Sequence, residues 1–542
     1  MESRKNSKSA IRLPLYISIA IAIGVFIGAN MAGGDSGTTD SLYKSVYKFR
    51  QVLTHIQNDY VDDVDASELS ETAIVEMLTK LDPHSVYIPA KDLEITNSPL
   101  EGNFEGIGIE FNVFKDTINV VSPLSGGPSE ALGIRPGDKI ITVEGENVAG
   151  IGITNREVVD KLRGERGSKV TVGILRKGEK ELIDYEITRD VIPQFSVDVS
   201  YMVDDEIGYI KVSRFAATTF MEFKEALEKL QRAGMKKLMI DLTGNPGGYM
   251  DPAIKMADEL LSGQQMIVYT KGKDIRYNAE HFSHTKGDFE YGPVIVLVDE
   301  GSASASEIVS GALQDHDRAL IVGRRSFGKG LVQMPIELND GSAIRLTISR
   351  YYTPSGRCIQ KPYGESLEDY HMEYFDRFQN GEIYSKDSIK VNDSLVYTTD
   401  NGRKVYGGGG IIPDYFVALD TAANSRYLTR VFNSNSMAEF SLSYADENRS
   451  KLEKMNYQDY QENFEVKDEV MQQLISVAEE NGVKFDKDGY YRSKESLRLY
   501  AKAFIARNIW KNEGFYPIFN QGDEIYLKAL TLFDEAEKLS IQ

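Results

Sequence analysis

Cysteine is almost absent from this chain: Cys358 is the only one in 542 residues. An internal disulfide and any metal site that needs two or more cysteines are excluded by counting. Histidine is sparse as well, and the six stand scattered at 55, 84, 281, 284, 316 and 371. His281 and His284 form an HxxH pair, but no acidic or histidine cluster nearby in the sequence completes a metal site, so this stretch reads as a polar loop. Clustered positive charge is missing too. The formal net charge is −20, and no long Lys/Arg run occurs outside the extreme N-terminus. Nucleic acid is a poor partner for such a chain, because neutralising phosphates needs clustered positive charge.

The N-terminus departs from this composition. Arg4, Lys5, Lys8 and Arg12 precede LPLYISIAIAIGVFIGANMA, which runs from Leu13 to Ala32 without a charge. About 20 apolar residues span a bilayer as one helix, and the basic flank stays in the cytoplasm. The sequence therefore predicts a cytoplasmic basic tail and an uncleaved transmembrane anchor over residues 1–34. The polar linker GGDSGTTDS follows, and the rest of the chain lies outside the cytoplasm. A cleaved signal peptide is the rival; its apolar core is shorter, about 7–15 residues, and no clear A-x-A site is present.

The length exceeds what one hydrophobic core fills. Residues 35–100 read as a helical segment, with Val46, Phe49, Val52, Leu53 and Ile56 recurring at three and four. Residues 101–190 carry short β-branched runs such as FEGIGIEFNVF and KIITVEGENV. They hold one helix, opened by a capping box of Thr154 and Glu157. Residues 191–420 alternate strands and helices around an unbroken apolar run, PVIVLVDE, the mark of a strand buried on both faces. This is α/β with a largely parallel sheet. YGGGG at 406–410 reads as a flexible break, and residues 421–542 as a charged, helical extension.

Three loops at strand ends carry candidate chemistry. DEGSASASEIVSGALQD (299–315) crowds small residues and serines into a strand-to-helix turn, where a nucleophilic serine has the next backbone N–H as an oxyanion donor. A serine at a helix start is also an ordinary cap. His316 is no base for Ser304: a helix from 304 to 316 extends roughly 18 Å at ~1.5 Å per residue. GRRSFGKG (323–330) opens like a phosphate-binding P-loop, but Gly330 stands where Ser or Thr must hold Mg²⁺. It follows the next strand, RALIVG, so Lys329 can return to the serine's edge of the sheet. Phe327, Leu331 and Val332 flank it with apolar bulk, and burial turns a lysine into a base by lowering its pKa. DLTGNPGGYM (241–250) exposes backbone N–H groups at Gly244, Gly247 and Gly248; a tight turn is the plainer reading.

Together DLTGNPGG, DEGSASASEIVSGALQD, GRRSFGKGLVQ, LTISRYYTPSGRCIQ and GIIPD, with LDPHSVYI at 81–88, resemble the carboxyl-terminal processing (tail-specific) serine proteases over roughly residues 41–420. The resemblance implies a crotonase-like α/β protease core with an inserted, mostly-β PDZ domain. It places the nucleophile on Ser304, the general base on Lys329 and a lysine-orienting glutamine on Gln333. The backbone N–H groups of Ala305 and of Gly247 and Gly248 would hold the oxyanion. It implies that Gly106, Ile107, Gly108 and Ile109 in FEGIGIEF bind a substrate C-terminus, though GIGI alone is also a plain β-bulge. No metal, nucleotide or other cofactor is required.

The expectation is a serine endopeptidase on the outer side of a bacterial inner membrane. It would cut proteins with free apolar C-termini near those ends, with a homo-oligomer or an adaptor as further partners. A catalytically silent PDZ scaffold and a P-loop nucleotide hydrolase are the alternatives.

Overall fold

The computed structural model describes residues 36–540, apart from Ser125, Lys177, Thr285, Glu365, Ser366 and Ala422. The predicted membrane anchor at Leu13–Ala32 lies outside the described residues, and no described helix is long and apolar enough to cross a membrane. The chain divides into two compact units, one ending at Lys80 and one beginning at Leu81. The described part of the first consists of the helices Ser36–Asp59 and Ala66–Thr79, the latter capped by the Asp65 carboxylate.

In the second unit, a six-stranded sheet forms the centre. Its order is Val197–Met202, Ile207–Val212, Lys237–Asp241, Val294–Val298, Leu320–Gly323 and Tyr415–Phe416, all parallel except the first. Ile207–Val212 and Val294–Val298 are buried at every residue. One face packs against helices Thr219–Arg232, Met250–Asp258 and Ala305–Asp315, through Phe223, Leu227, Met256, Ile308 and Val309. The other face, with Tyr209, Met239 and Leu297, is covered by Ile525, Tyr526, Phe533 and Ala536 from the last two helices. The last two helices thus complete the core of the central sheet, which the helical pattern of the tail did not reveal. The intervening helices, from Arg426 to Phe519, form their own apolar cluster.

A second sheet pairs Ala343–Tyr352 with Val86–Ile88, Leu331–Glu337 and Met266–Gly272. It carries chain distant in sequence to the ends of the parallel strands. Residues 106–187 form a separate antiparallel sheet around Ile118, Val120, Ile140, Val172 and Ile187. Its helix Asn155–Leu162 opens with the expected Thr154–Glu157 capping box.

Candidate active site

The turn after Val294–Val298 treats its serines differently. Ser302 Oγ donates to Leu242 O (2.8 Å) and accepts the Asp299 N–H (2.9 Å). Ser306 Oγ donates to Asn245 O at 3.1 Å. Both are fully buried, and their hydroxyls hold the turn together. Ser304 stands partly exposed at the N-cap of Ala305–Asp315, with φ 54° and ψ −109°. A non-glycine residue held at positive φ is strained backbone, which persists only where its surroundings fix it. Here Glu307 Oε2 accepts the Ser304 N–H (2.8 Å) and the Tyr351 hydroxyl donates to Ser304 O (3.1 Å).

The lysine loop leaves the neighbouring parallel strand, so it emerges beside the serine turn, as the α/β pattern implied. Phe327 N–H donates to Ser302 O at 2.9 Å. Glu307 then binds the second loop as well, accepting from the Ser326 hydroxyl, Gly328 N (2.7 Å) and Lys329 N (2.9 Å). Burial pushes the Glu307 carboxyl up while these bonds pull it back towards the ionised form. One carboxylate therefore grips the backbone of both candidate residues. Burial holds the Lys329 amine below the ordinary lysine range; the Arg345 charge adds to this, and Glu307 and Asp82 oppose it.

The P-loop alternative meets a steric answer. A Cβ on Gly330 would sit 2.9 Å from Gln360 N and 3.1 Å from Gln360 Cβ, so a serine or threonine has no room there. The N–H groups that would cradle phosphate are taken: Gly328 and Lys329 by Glu307, and Gly330 by Gln360 Oε1 (2.8 Å). The supposed flexible break at 406–410 is also corrected. Gly408 N–H and Gly410 N–H donate to Cys358 O (2.7 Å) and Ile359 O (2.8 Å), and a Cβ on Gly410 would lie 2.6 Å from Ser326 O. These glycines let two backbones touch beneath the lysine loop. Arg377 holds the loop from the other side, donating to the carbonyls of Arg325, Ser326 and Phe327.

In the glycine turn, Gly247 (φ +96°) abuts Ser304: a Cβ there would lie 2.8 Å from Ser304 Cβ and 2.6 Å from Ala303 O. Its N–H is not available to an oxyanion, because buried Asn245 accepts it through Oδ1 at 2.8 Å. Among the described residues, the N–H groups of Gly248 and Ala305 have no protein partner, and they are the donors left to the site. Gln333 donates through its amide nitrogen to Thr347 Oγ1 (3.2 Å).

Sequence reasoning missed several contributors. Glu307 was legible as the fourth position of an S-x-x-E capping pattern beginning at Ser304. His84, more than two hundred residues before Lys329 in the sequence, reaches the lysine's surroundings. Its Nε2 pairs with the Tyr370 hydroxyl (2.8 Å), and burial, then the Lys329 charge, lower its pKa to about 4. It is therefore neutral at physiological pH. His316 is the C-cap at the far end of the serine helix, its ring engaged by Asp400 and Met266 O.

In the β-rich domain, Ile107 and Ile109 are buried, and Gly108 takes φ +73° where a Cβ would meet Ile192 at 2.9 Å. The Ser129 hydroxyl donates to Ile107 O (2.6 Å) and Leu124 N–H to Gly108 O (2.9 Å). The segment from Gly106 to Ile109 is thus a braced turn at a strand start.

Residues 206–366 match peptidase family S41, residues 106–187 a PDZ domain, and residues 29–92 the N-terminal domain of the activating protease CtpB. Residues 427–511 match a family of unknown function. A carboxy-terminal-processing protease of Bartonella bacilliformis is 38% identical over 351 residues, covering 63% of this chain and 80% of that one. The carboxy-terminal processing protease CtpB of Bacillus subtilis is 34% identical over 385 residues, 68% of this chain and 78% of that one. A probable CtpA-like serine protease of Staphylococcus aureus is 34% identical over 378 residues, 66% of this chain and 73% of that one.

Proposed function

This chain belongs to the carboxy-terminal processing proteases of peptidase family S41 and is a serine-type peptidase; from that premise we propose that Ser304 and Lys329 form its catalytic dyad and that its PDZ domain selects substrates by their free C-termini. The observation that carries the dyad is Glu307, which binds the backbone N–H of both residues and so sets their loops side by side. Burial holds the Lys329 amine below the ordinary lysine range, the direction a general base needs. Ser304 Oγ attacks the peptide carbonyl carbon while Lys329 Nζ takes its proton. The N–H groups of Ala305 and Gly248 receive the oxyanion. Collapse of the tetrahedral adduct breaks the C–N bond, and Lys329 returns the proton to the leaving amine. Water, deprotonated by the same lysine, then attacks the acyl carbon; the C–Oγ bond breaks, the lysine returns the proton to Ser304 Oγ, and the new carboxylate end leaves.

The PDZ reading rests on the braced turn at Gly106–Ile109, beside which a tail would add as a strand with its carboxylate on backbone N–H groups. The membrane reading rests on Leu13–Ala32 alone and puts the protease on the periplasmic side of the inner membrane. The test uses the soluble fragment from about residue 35 and an unstructured polypeptide with an apolar C-terminus, followed by mass spectrometry. Cleavage is lost in Ser304→Ala and in Lys329→Ala, and slows when the substrate's C-terminus is amidated. Cleavage that persists in either variant refutes the dyad, and indifference to amidation refutes tail selection.

A further inference from the structure

Gln333 and Thr347 face each other across the antiparallel pair Leu331–Glu337 and Ala343–Tyr352, next to a register shift between Val332 and Gln333. Thr347 Oγ1 lies 3.0 Å from Asp82 Oδ1 and 3.2 Å from Gln333 Nε2. The Thr347 hydroxyl donates to Asp82 Oδ1, so its single proton is committed there. Oγ1 then offers Gln333 lone pairs alone. Gln333 must present its NH₂ group to Thr347, and its carbonyl oxygen Oε1 turns away.

The rest of the network leaves no slack. Asp82 is buried and accepts the N–H groups of His84 (2.8 Å) and Ser85 (2.9 Å) and the Ser85 hydroxyl (2.6 Å). Ser85 Oγ accepts the Thr347 N–H at 3.1 Å. With Asp82 Oδ2 already accepting the Ser85 proton, each hydroxyl in this group has one place to send its hydrogen.

We propose that Thr347, anchored by Asp82, is a positioning residue that fixes the Gln333 amide with Oε1 directed at Lys329 Nζ. This deepens the dyad reading and rests on it. A carbonyl oxygen at Nζ accepts a lysine N–H and leaves the amine's lone pair for the Ser304 proton. Without the hydroxyl, the amide is free to rotate and turn its NH₂ towards the lysine. Amide hydrogens disfavour the ammonium, whereas the carbonyl favours it. The other charged or titratable groups that act on Lys329 are Glu307, Arg345, Asp82 and His84, and all four remain when Thr347 is changed.

The experiment compares Thr347→Val, Thr347→Ala and Thr347→Ser with the unaltered enzyme, reading kcat and KM across pH on one peptide substrate. Valine and alanine are expected to lower kcat by about tenfold or more with KM unchanged. They are also expected to move the acidic limb of the kcat profile to lower pH. Serine restores both the rate and the limb. The proposal is overturned if either hydroxyl-free variant, melting like the wild type, keeps the wild-type kcat and limb. It is equally overturned if serine is as impaired as valine. Lys329→Ala, run beside them, separates the two readings. An active Lys329→Ala removes the dyad itself, whereas an inactive one with unaffected Thr347 variants removes only the present inference.

Discussion

Gly247→Ala is the most informative small perturbation of the site. The residue sits at φ +96°, a region that costs an L-residue about 1–2 kcal/mol. The added methyl would also lie 2.6 Å from Ala303 O, 2.8 Å from Ser304 Cβ and 3.0 Å from Ala305 N. All three atoms belong to the strained turn that carries Ser304 and the Ala305 N–H, so relief of the clash must move them. Overpacking of this kind costs about 1–3 kcal/mol, and displacing a reacting group by ~1 Å costs about a hundredfold in rate. Gly244→Ala is the control. It too has positive φ, +66°, but no atom lies within 4 Å of its added Cβ, so it isolates the backbone cost. Steady-state kinetics and thermal melting of both variants decide the matter. Gly247→Ala should lose about two orders of magnitude in kcat with little change in KM, and Gly244→Ala should lose stability with far less effect on rate. A folded Gly247→Ala enzyme with a near-wild-type kcat would refute the claim that this glycine touches the catalytic turn.

Further expectations follow from the charges and contacts around the site. The proposed dyad uses Lys329 as the neutral amine, and burial holds it below the usual lysine range, so kcat/KM should fall as pH drops through its folded pKa. Arg345→Gln removes a nearby positive charge, raises that pKa and so moves the acidic limb to higher pH. A lysine with a depressed folded pKa penalises folding at every pH below its unfolded value, so Lys329→Met should raise the melting temperature at neutral pH while abolishing cleavage. Gly410→Ala should disorder the lysine loop, since its Cβ would collide with Ser326 O; faster hydrogen exchange at 324–330 together with lost activity is the readout. Arg357→Ala should destabilise by about 3–5 kcal/mol in denaturant titration. It strips a fully buried guanidinium that lies 2.8 Å from Asp315 and 2.7 Å from Gln314 Oε1.

The parallel core was legible in the sequence because its strands are buried on both faces. The run at Val294–Val298 carries that burial as uninterrupted hydrophobicity. The three candidate loops were legible because they follow such strands directly. The Asp82–Thr347–Gln333 arrangement was not, since it depends on Val86–Ile88 pairing with a strand more than two hundred residues later in the chain. The glycines at 406–410 misled because a glycine run signals either flexibility or close backbone approach, and only the partner backbone at 326–328 distinguishes them. The last two helices read only as part of a charged, helical extension, a pattern that does not show their apolar face to belong to the central sheet.

The most direct test of the Ser304–Lys329 pair is to acid-quench the enzyme during turnover and weigh the intact protein, then map any acyl adduct by peptide sequencing. The expected result is an adduct on Ser304 in the wild type and none in Ser304→Ala or Lys329→Ala. An adduct on another residue, or one that forms on Ser304 at an undiminished rate in Lys329→Ala, would contradict the account.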